Sequence, residues 1–132
     1  MKFFMLFIGL VFLLALLRYR QKDKGKVKHH PAIRSISVGQ LKEKISKGAS
    51  LQLVDVRTPL EYDSGYLHSA VNINYLSKNF VEKFKVYHKD EPLYLYCRSG
   101  HRSRRAASLL AQEKFTKIYD LEGGILQWNK SK

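Results

Sequence analysis

A chain of 132 residues with an ordinary hydrophobic share of 45% has room for one packed domain and a short appendage. Its single cysteine excludes an internal disulfide, and its net charge of +13 is unevenly spread. Residues 1–34 hold eight Lys/Arg against one acid, whereas the rest of the chain holds sixteen against ten.

The asymmetry begins at the N-terminus. Phe3 to Leu17 is apolar without a charge, and six Lys/Arg follow between Arg18 and Lys28. The run is shorter than the roughly 20 residues a spanning helix prefers, and it also matches a signal-peptide core. No small-x-small cleavage site follows it, while Lys2 and Arg18 can snorkel and Tyr19 suits an interface. Residues 1–20 therefore read as an N-terminal hydrophobic helix that anchors the chain to a membrane through residues 3–17, with a cleaved signal as the alternative. The basic block after it places the remainder in the cytoplasm by the positive-inside rule; export to a periplasmic space is the alternative. A charge of this sign would also suit nucleic acid, but no helix-turn-helix, zinc or RNA-binding signature accompanies it, so no nucleic-acid partner is expected. Residues 21–33 are charged, carry Gly25 and Pro31 and lack an apolar period, which makes them a linker. His29 and His30 lack further ligands at metal spacing and read as solvated.

From residue 34 to 132 the pattern is that of one globular domain. Ile33 to Ile36 suits a short strand, and Ser37 can cap a helix running to Lys47 with Val38, Leu41 and Ile45 as its apolar stripe. Leu51 to Val56 is a mostly apolar strand, Leu60 to Ser64 one helical turn, and Ala70 to Ile73 a short strand. Leu76 to Phe84 is expected to be a helix with Phe80, Val81 and Phe84 inward. Leu93 to Tyr96 is apolar and aromatic without alternation, as in a strand buried on both faces of a parallel sheet. Lys117 to Leu121 is the last strand, and Gly123-Gly124 turns into a closing helix that carries Trp128. Strands alternating with helices imply an α/β fold with a central parallel sheet and helices on both faces.

The chemistry gathers around Cys97, where the strand 93–96 should end. Arg98, Ser99, Gly100, His101, Arg102 and Ser103 follow, and Ser103 is expected to cap a helix over 104–112. A strand end, a tight loop and a helix N-terminus collect unpaired backbone N–H groups around one point, which draws negative charge. A cysteine there ionises below its free pKa of about 8.5. A lone cysteine is more often an inert core residue, but two arginines, a glycine and a helix start within six positions are a poor setting for one. Asp55 and Arg57, at the end of the second strand, read as a loop brace rather than as catalytic groups. His101 has no carboxylate partner nearby in sequence and is assigned no general-base role. No metal-ligand cluster or cofactor-binding motif is legible.

Cys97-Arg-Ser-Gly-His-Arg-Ser103 resembles the active-site loop of the rhodanese domains, the single-domain sulfurtransferases. Asp55-Val56-Arg57 with Glu61-Tyr62 and Gly65-Tyr66-Leu67 resembles the first signature of that family, and Ala70-Val71-Asn72-Ile73 its continuation. Leu121-Glu122-Gly123-Gly124-Ile125 with Trp128 resembles its closing segment. Tyr66 stands where histidine is common, and His68-Ser69 where proline or glycine is frequent.

The resemblance implies a rhodanese-like three-layer domain and a rhodanese-type sulfurtransferase that needs no cofactor or metal. Cys97 would take a sulfane sulfur from a small anionic donor such as thiosulfate, and the loop 98–103 would bind that donor. An external thiol or cyanide would then remove the sulfur from the Cys97 persulfide. Two other readings stand beside it. One is a membrane-tethered binding or redox-sensing module without catalysis. The other is a phosphatase or arsenate reductase, disfavoured because such loops need five residues between cysteine and arginine, and Arg102 leaves four.

Overall fold

In the computed structural model the described residues are 29–132, with Met1, Gly9, Val11 and residues 13–15. Most of the anchor expected over residues 3–17 and most of the linker expected over 21–33 lie outside the described residues. Among the described residues no helix is long and apolar enough to cross a membrane. His29 and His30 are exposed, and Nδ1 of His30 accepts from the Ala32 N–H at 3.2 Å, closing the turn before the first strand.

Five parallel strands form one sheet in the order β1-β5-β4-β2-β3. They are β1 (Ile33–Ile36), β2 (Gln52–Asp55), β3 (Val71–Asn72), β4 (Leu93–Tyr96) and β5 (Ile118–Leu121). β4 sits at the centre and all four of its residues are buried, which is why its sequence is apolar without alternation. The period of two nevertheless sorts its side chains. Leu93, Leu95 and Cys97 pack with Val54, Phe80, Phe84, Ala107, Leu110 and Ile118 on one face. Tyr94 and Tyr96 pack with Leu41, Leu53, Leu67, Leu121 and Ile125 on the other.

Within residues 29–132 four α-helices flank the sheet: α1 (Val38–Ser46), α2 (Pro59–Asp63), α3 (His101–Gln112) and α4 (Gly124–Lys130). Two of them start as their sequences dictate. The Ser37 hydroxyl accepts from the Gln40 N–H at 3.2 Å while the Gln40 side chain accepts from the Ser37 N–H at 2.9 Å. Thr58 and Glu61 form the same reciprocal cap on α2, with Pro59 in the first turn, where its missing N–H costs nothing.

Two elements differ from expectation. The helix expected over 76–84 is a 3-10 helix at Val81–Val86, preceded by tight turns. Asn74 is the reason. Its side-chain carbonyl accepts from the Leu76 N–H and its backbone carbonyl from the Ser77 N–H and hydroxyl, so local bonds take the groups a helix would use. Phe80 and Phe84 still point inward, and Val81 is half-buried. The second difference is the start of α3. It begins at His101 rather than after Ser103, with Gly100 as its cap at φ +104°. A residue in that conformation turns the chain sharply enough to gain three helical positions, and Ser103 lies within the first turn.

Candidate active site

The parallel sheet directs the carboxyl ends of its strands to one edge, and Cys97 follows β4 at its centre. The loop after it is held from the outside by α4. The Ile125 N–H donates to the Cys97 carbonyl at 2.9 Å and the Leu126 N–H to the Arg98 carbonyl at 3.1 Å. These are N–H groups that a helix start leaves without internal partners. Gly124, at φ +59°, permits the approach, because a Cβ there would overlap both carbonyl oxygens.

With its carbonyls turned outward, the loop turns its amides inward on the sulfur. The Gly100 N–H donates to Cys97 Sγ at 3.1 Å, and the Ser103 hydroxyl donates at 3.5 Å. Cys97 is 1% exposed. Burial pushes its thiol up, but the hydroxyl and N–H of Ser103 and the amides of Gly100 and Ser99 outweigh burial. The net result is a thiol held below its ordinary value.

Two ion pairs brace this arrangement. Asp55 is fully buried and takes the Arg57 guanidinium bidentately, Nη2 lying 2.7 Å from Oδ2. Arg57 Nη2 also donates to the Gly65 carbonyl at 2.6 Å, tying the end of β2 to the segment after α2. The second pair spans 41 residues: Arg102 donates from Nη1 and Nη2 to the two carboxylate oxygens of Glu61 at 2.6 and 2.7 Å. The Arg102 guanidinium holds the Glu61 carboxyl far below its usual range, at about 2; burial opposes this and Thr58 assists.

The residues singled out from the sequence thus have distinct positions. Cys97, Gly100 and Ser103 are buried together, with the Gly100 amide and the Ser103 hydroxyl on the sulfur. Ser99 adds its amide, while its side chain, like those of Arg98 and His101, is exposed. Arg102 spends its guanidinium on Glu61, which leaves Arg98 as the outward-facing arginine of the loop. Tyr66 stacks on Tyr62 with ring centroids 4.2 Å apart, and His68 adopts φ +40° in the following turn. Three residues near the site have no role assigned from sequence: Glu61 and Gly124, which stand in the family signatures quoted above, and Asp120. The Thr58-to-Glu61 capping pattern was a visible signal for the first, although it says nothing of Arg102. Among the described residues no group of three or more His, Cys, Asp or Glu side chains is placed to hold a metal ion.

Two outcomes follow. Glu61→Gln should flatten the acid limb of the stability profile. A carboxyl whose folded pKa is depressed contributes stability above its unfolded value of 4.5 and loses it as pH falls through about 2. Urea midpoints across that window check this; the expectation fails if wild type and variant lose stability in parallel. Gly124→Ala should cost about 1–3 kcal/mol and loosen the loop, since the new methyl overlaps backbone rather than a flexible side chain. A lower urea midpoint with a raised Cys97 pKa is the expected pair of results.

The fold and loop have counterparts among known proteins. The family model of the rhodanese-like domain matches residues 37–131. The uncharacterized protein YqhL of Bacillus subtilis is 43% identical over 77 residues, 58% of this chain and 60% of that protein. The thiosulfate sulfurtransferase GlpE of Shewanella oneidensis is 29% identical over 100 residues, which cover 76% of this chain and 96% of that one. A crystal structure of a rhodanese-like domain protein from Staphylococcus aureus superimposes with a TM-score of 0.66 at 29% identity, covering 72% of this chain and 90% of the other.

Proposed function

The chain belongs to the rhodanese-like domain family, and on that premise we propose that it moves a sulfane sulfur through a persulfide on Cys97. One observation carries the reading: a buried sulfur that receives hydrogen bonds from the Gly100 amide and the Ser103 hydroxyl and whose thiol lies below its ordinary value. A negative charge on that sulfur is stabilised before any substrate arrives, which is what a nucleophile requires. The thiolate attacks the outer sulfur of a donor such as thiosulfate. A bond forms between Cys97 Sγ and that sulfur, the donor's S–S bond breaks, and sulfite leaves with the bonding pair. The persulfide anion inherits the same donors.

Burial of Cys97 favours a small donor, because only a narrow group reaches a sulfur that is 1% exposed. Arg98, exposed at the loop, supplies positive charge for an anionic donor. Arg102 contributes through Glu61 by fixing the loop. No second cysteine is present to resolve the persulfide, so the acceptor is an external thiol or cyanide.

Residues 3–17 supply a membrane anchor in this reading, with the domain on the cytoplasmic side. The support is the uncharged apolar run followed by six Lys/Arg. The chain should stay with membranes through an alkaline carbonate wash and be released when residues 1–20 are deleted. Equal extraction of both forms would end the anchoring proposal.

The chemistry is tested by intact mass. The full-length protein, incubated with thiosulfate and freed of excess donor, should gain one sulfur atom. Cyanide should erase the gain, and Cys97→Ser should never show it. No gain from thiosulfate or from persulfide donors would refute the sulfurtransferase reading and turn attention to a non-catalytic binding module.

A further inference from the structure

A carboxylate lies on the concealed side of the same loop. Asp120 is near the carboxyl end of β5, in register with Leu95 of the neighbouring strand β4. The period of two places it on the sheet face of Ile118, the face that also carries Leu93, Leu95 and Cys97 and lies under α3. It is 6% exposed, and its Oδ1 is fully buried without a hydrogen-bond partner among the described residues. Lone buried carboxylate oxygens are costly, so one that persists beside a reactive sulfur requires an explanation.

Ser103 provides the connection. It is fully buried, its hydroxyl lies 3.5 Å from Cys97 Sγ, and it stands in the first turn of α3 over the sheet face that carries Asp120, whose carboxyl it lowers. A hydroxyl has one hydrogen and can satisfy one of the two anions at a time. In this structure the hydrogen bond goes to sulfur, which leaves Asp120 Oδ1 alone. Arg104 of α3 and Glu122, just after β5, also face Asp120 with opposing effects. Arg104 spends its Nε on the Gly100 carbonyl at 2.9 Å, and no ion pair with Asp120 forms among the described residues.

We propose that Asp120 and Cys97 share one proton through the Ser103 hydroxyl, so that Asp120 is the internal acceptor of the thiol proton. In one state the thiol is intact and Asp120 is a carboxylate. In the other, the S–H bond has broken and its proton has passed to Ser103 Oγ, whose own hydrogen has moved to Asp120 as a new O–H bond. Both states carry one negative charge, and nothing is oxidised or reduced. In the second state Asp120 donates to Ser103 and Ser103 donates to the thiolate, so every polar atom in the row has a partner. Burial in the first place raises the Asp120 carboxyl to about 6, against a lowering effect of Ser103, while the donors of the loop lower the Cys97 thiol, so the two proton affinities are shifted toward each other. Asp120 acts through Ser103 and never meets substrate, so it is a positioning residue. The inference rests on the reading of Cys97 as the nucleophile and supplies that reading with its base.

The test needs no sulfur donor, so its outcome is separate from that of the mass experiment. The full-length protein is titrated while thiolate is followed by its ultraviolet absorbance and by the alkylation rate of Cys97. Wild type should form thiolate in two steps, because two sites share the protons. Asp120→Asn, which keeps the shape, should form it in a single step that is complete at lower pH. Its thiolate fraction between the two midpoints should be higher by about tenfold per unit of their separation. Ser103→Ala should also give one step, moved to higher pH. A second measurement protects against misfolded variants: isotope-labelled aspartate NMR on wild type, where capping Cys97 with iodoacetamide should move the Asp120 midpoint. Thiolate curves that superimpose for wild type and Asp120→Asn would overturn the proposal. So would an Asp120 midpoint indifferent to the capping of Cys97.

Discussion

The bonds from the start of α4 to the carbonyls of Cys97 and Arg98 are what the site depends on. A peptide unit whose carbonyl is held on one side presents the neighbouring amides to the other. The inward face of the loop is therefore made of donors, and the sulfur at its centre is surrounded by them. Remove the two bonds and the loop has no reason to prefer that face. Gly124 is required at the contact because the backbones meet where a side chain would stand. The Gly-Gly pair thus serves the chemistry from the far side of the loop, without touching the sulfur.

The electrostatics then turn on a balance. Taking an anion out of water costs several kcal/mol, and burial alone would keep Cys97 a neutral core thiol. A hydrogen bond to a charged acceptor contributes about 1.5–3 kcal/mol, so one donor would not reverse that cost. The hydroxyl of Ser103 and three backbone N–H groups together do. The same burial leaves Asp120 Oδ1 without a partner among the described residues, and in the proposal above this couples its protonation to that of the sulfur. A solvated loop would neither lower the thiol so selectively nor link it to a neighbour.

The ion pairs serve geometry more than stability. A buried pair such as Asp55 and Arg57 recovers its desolvation cost only with good geometry and full hydrogen bonding. It has both, and it fixes the end of β2 and the segment through Gly65. Glu61 and Arg102 are partly exposed, and their value lies in joining α2 to the first turn of α3 across the loop. That leaves Arg98 as the loop's outward-facing charge, a division of labour between two arginines that look equivalent in sequence.

Much of this was legible in the chain because it is local. The unbroken apolar run of β4 announced a central buried strand, and Cys97 at its end marked the site. Ser37 as a cap, the stripe of Val38, Leu41 and Ile45, and the alternation of strands with helices gave α1 and the layered parallel sheet. Each is encoded within a few residues, by period or by a cap. Local reading failed where local alternatives compete: Asn74 diverted the expected helix into turns, and the left-handed Gly100 started α3 before Ser103. Contacts between distant residues were beyond its reach. Arg102 meets Glu61, Gly124 meets the loop of Cys97, and Asp120 comes under Ser103 only when β4 and β5 lie side by side with α3 above them. The sequence by itself determined most of the elements and where the single cysteine stands. The tertiary structure decided which groups surround that sulfur, because hydrogen bonds and desolvation act through space and take no account of distance along the chain.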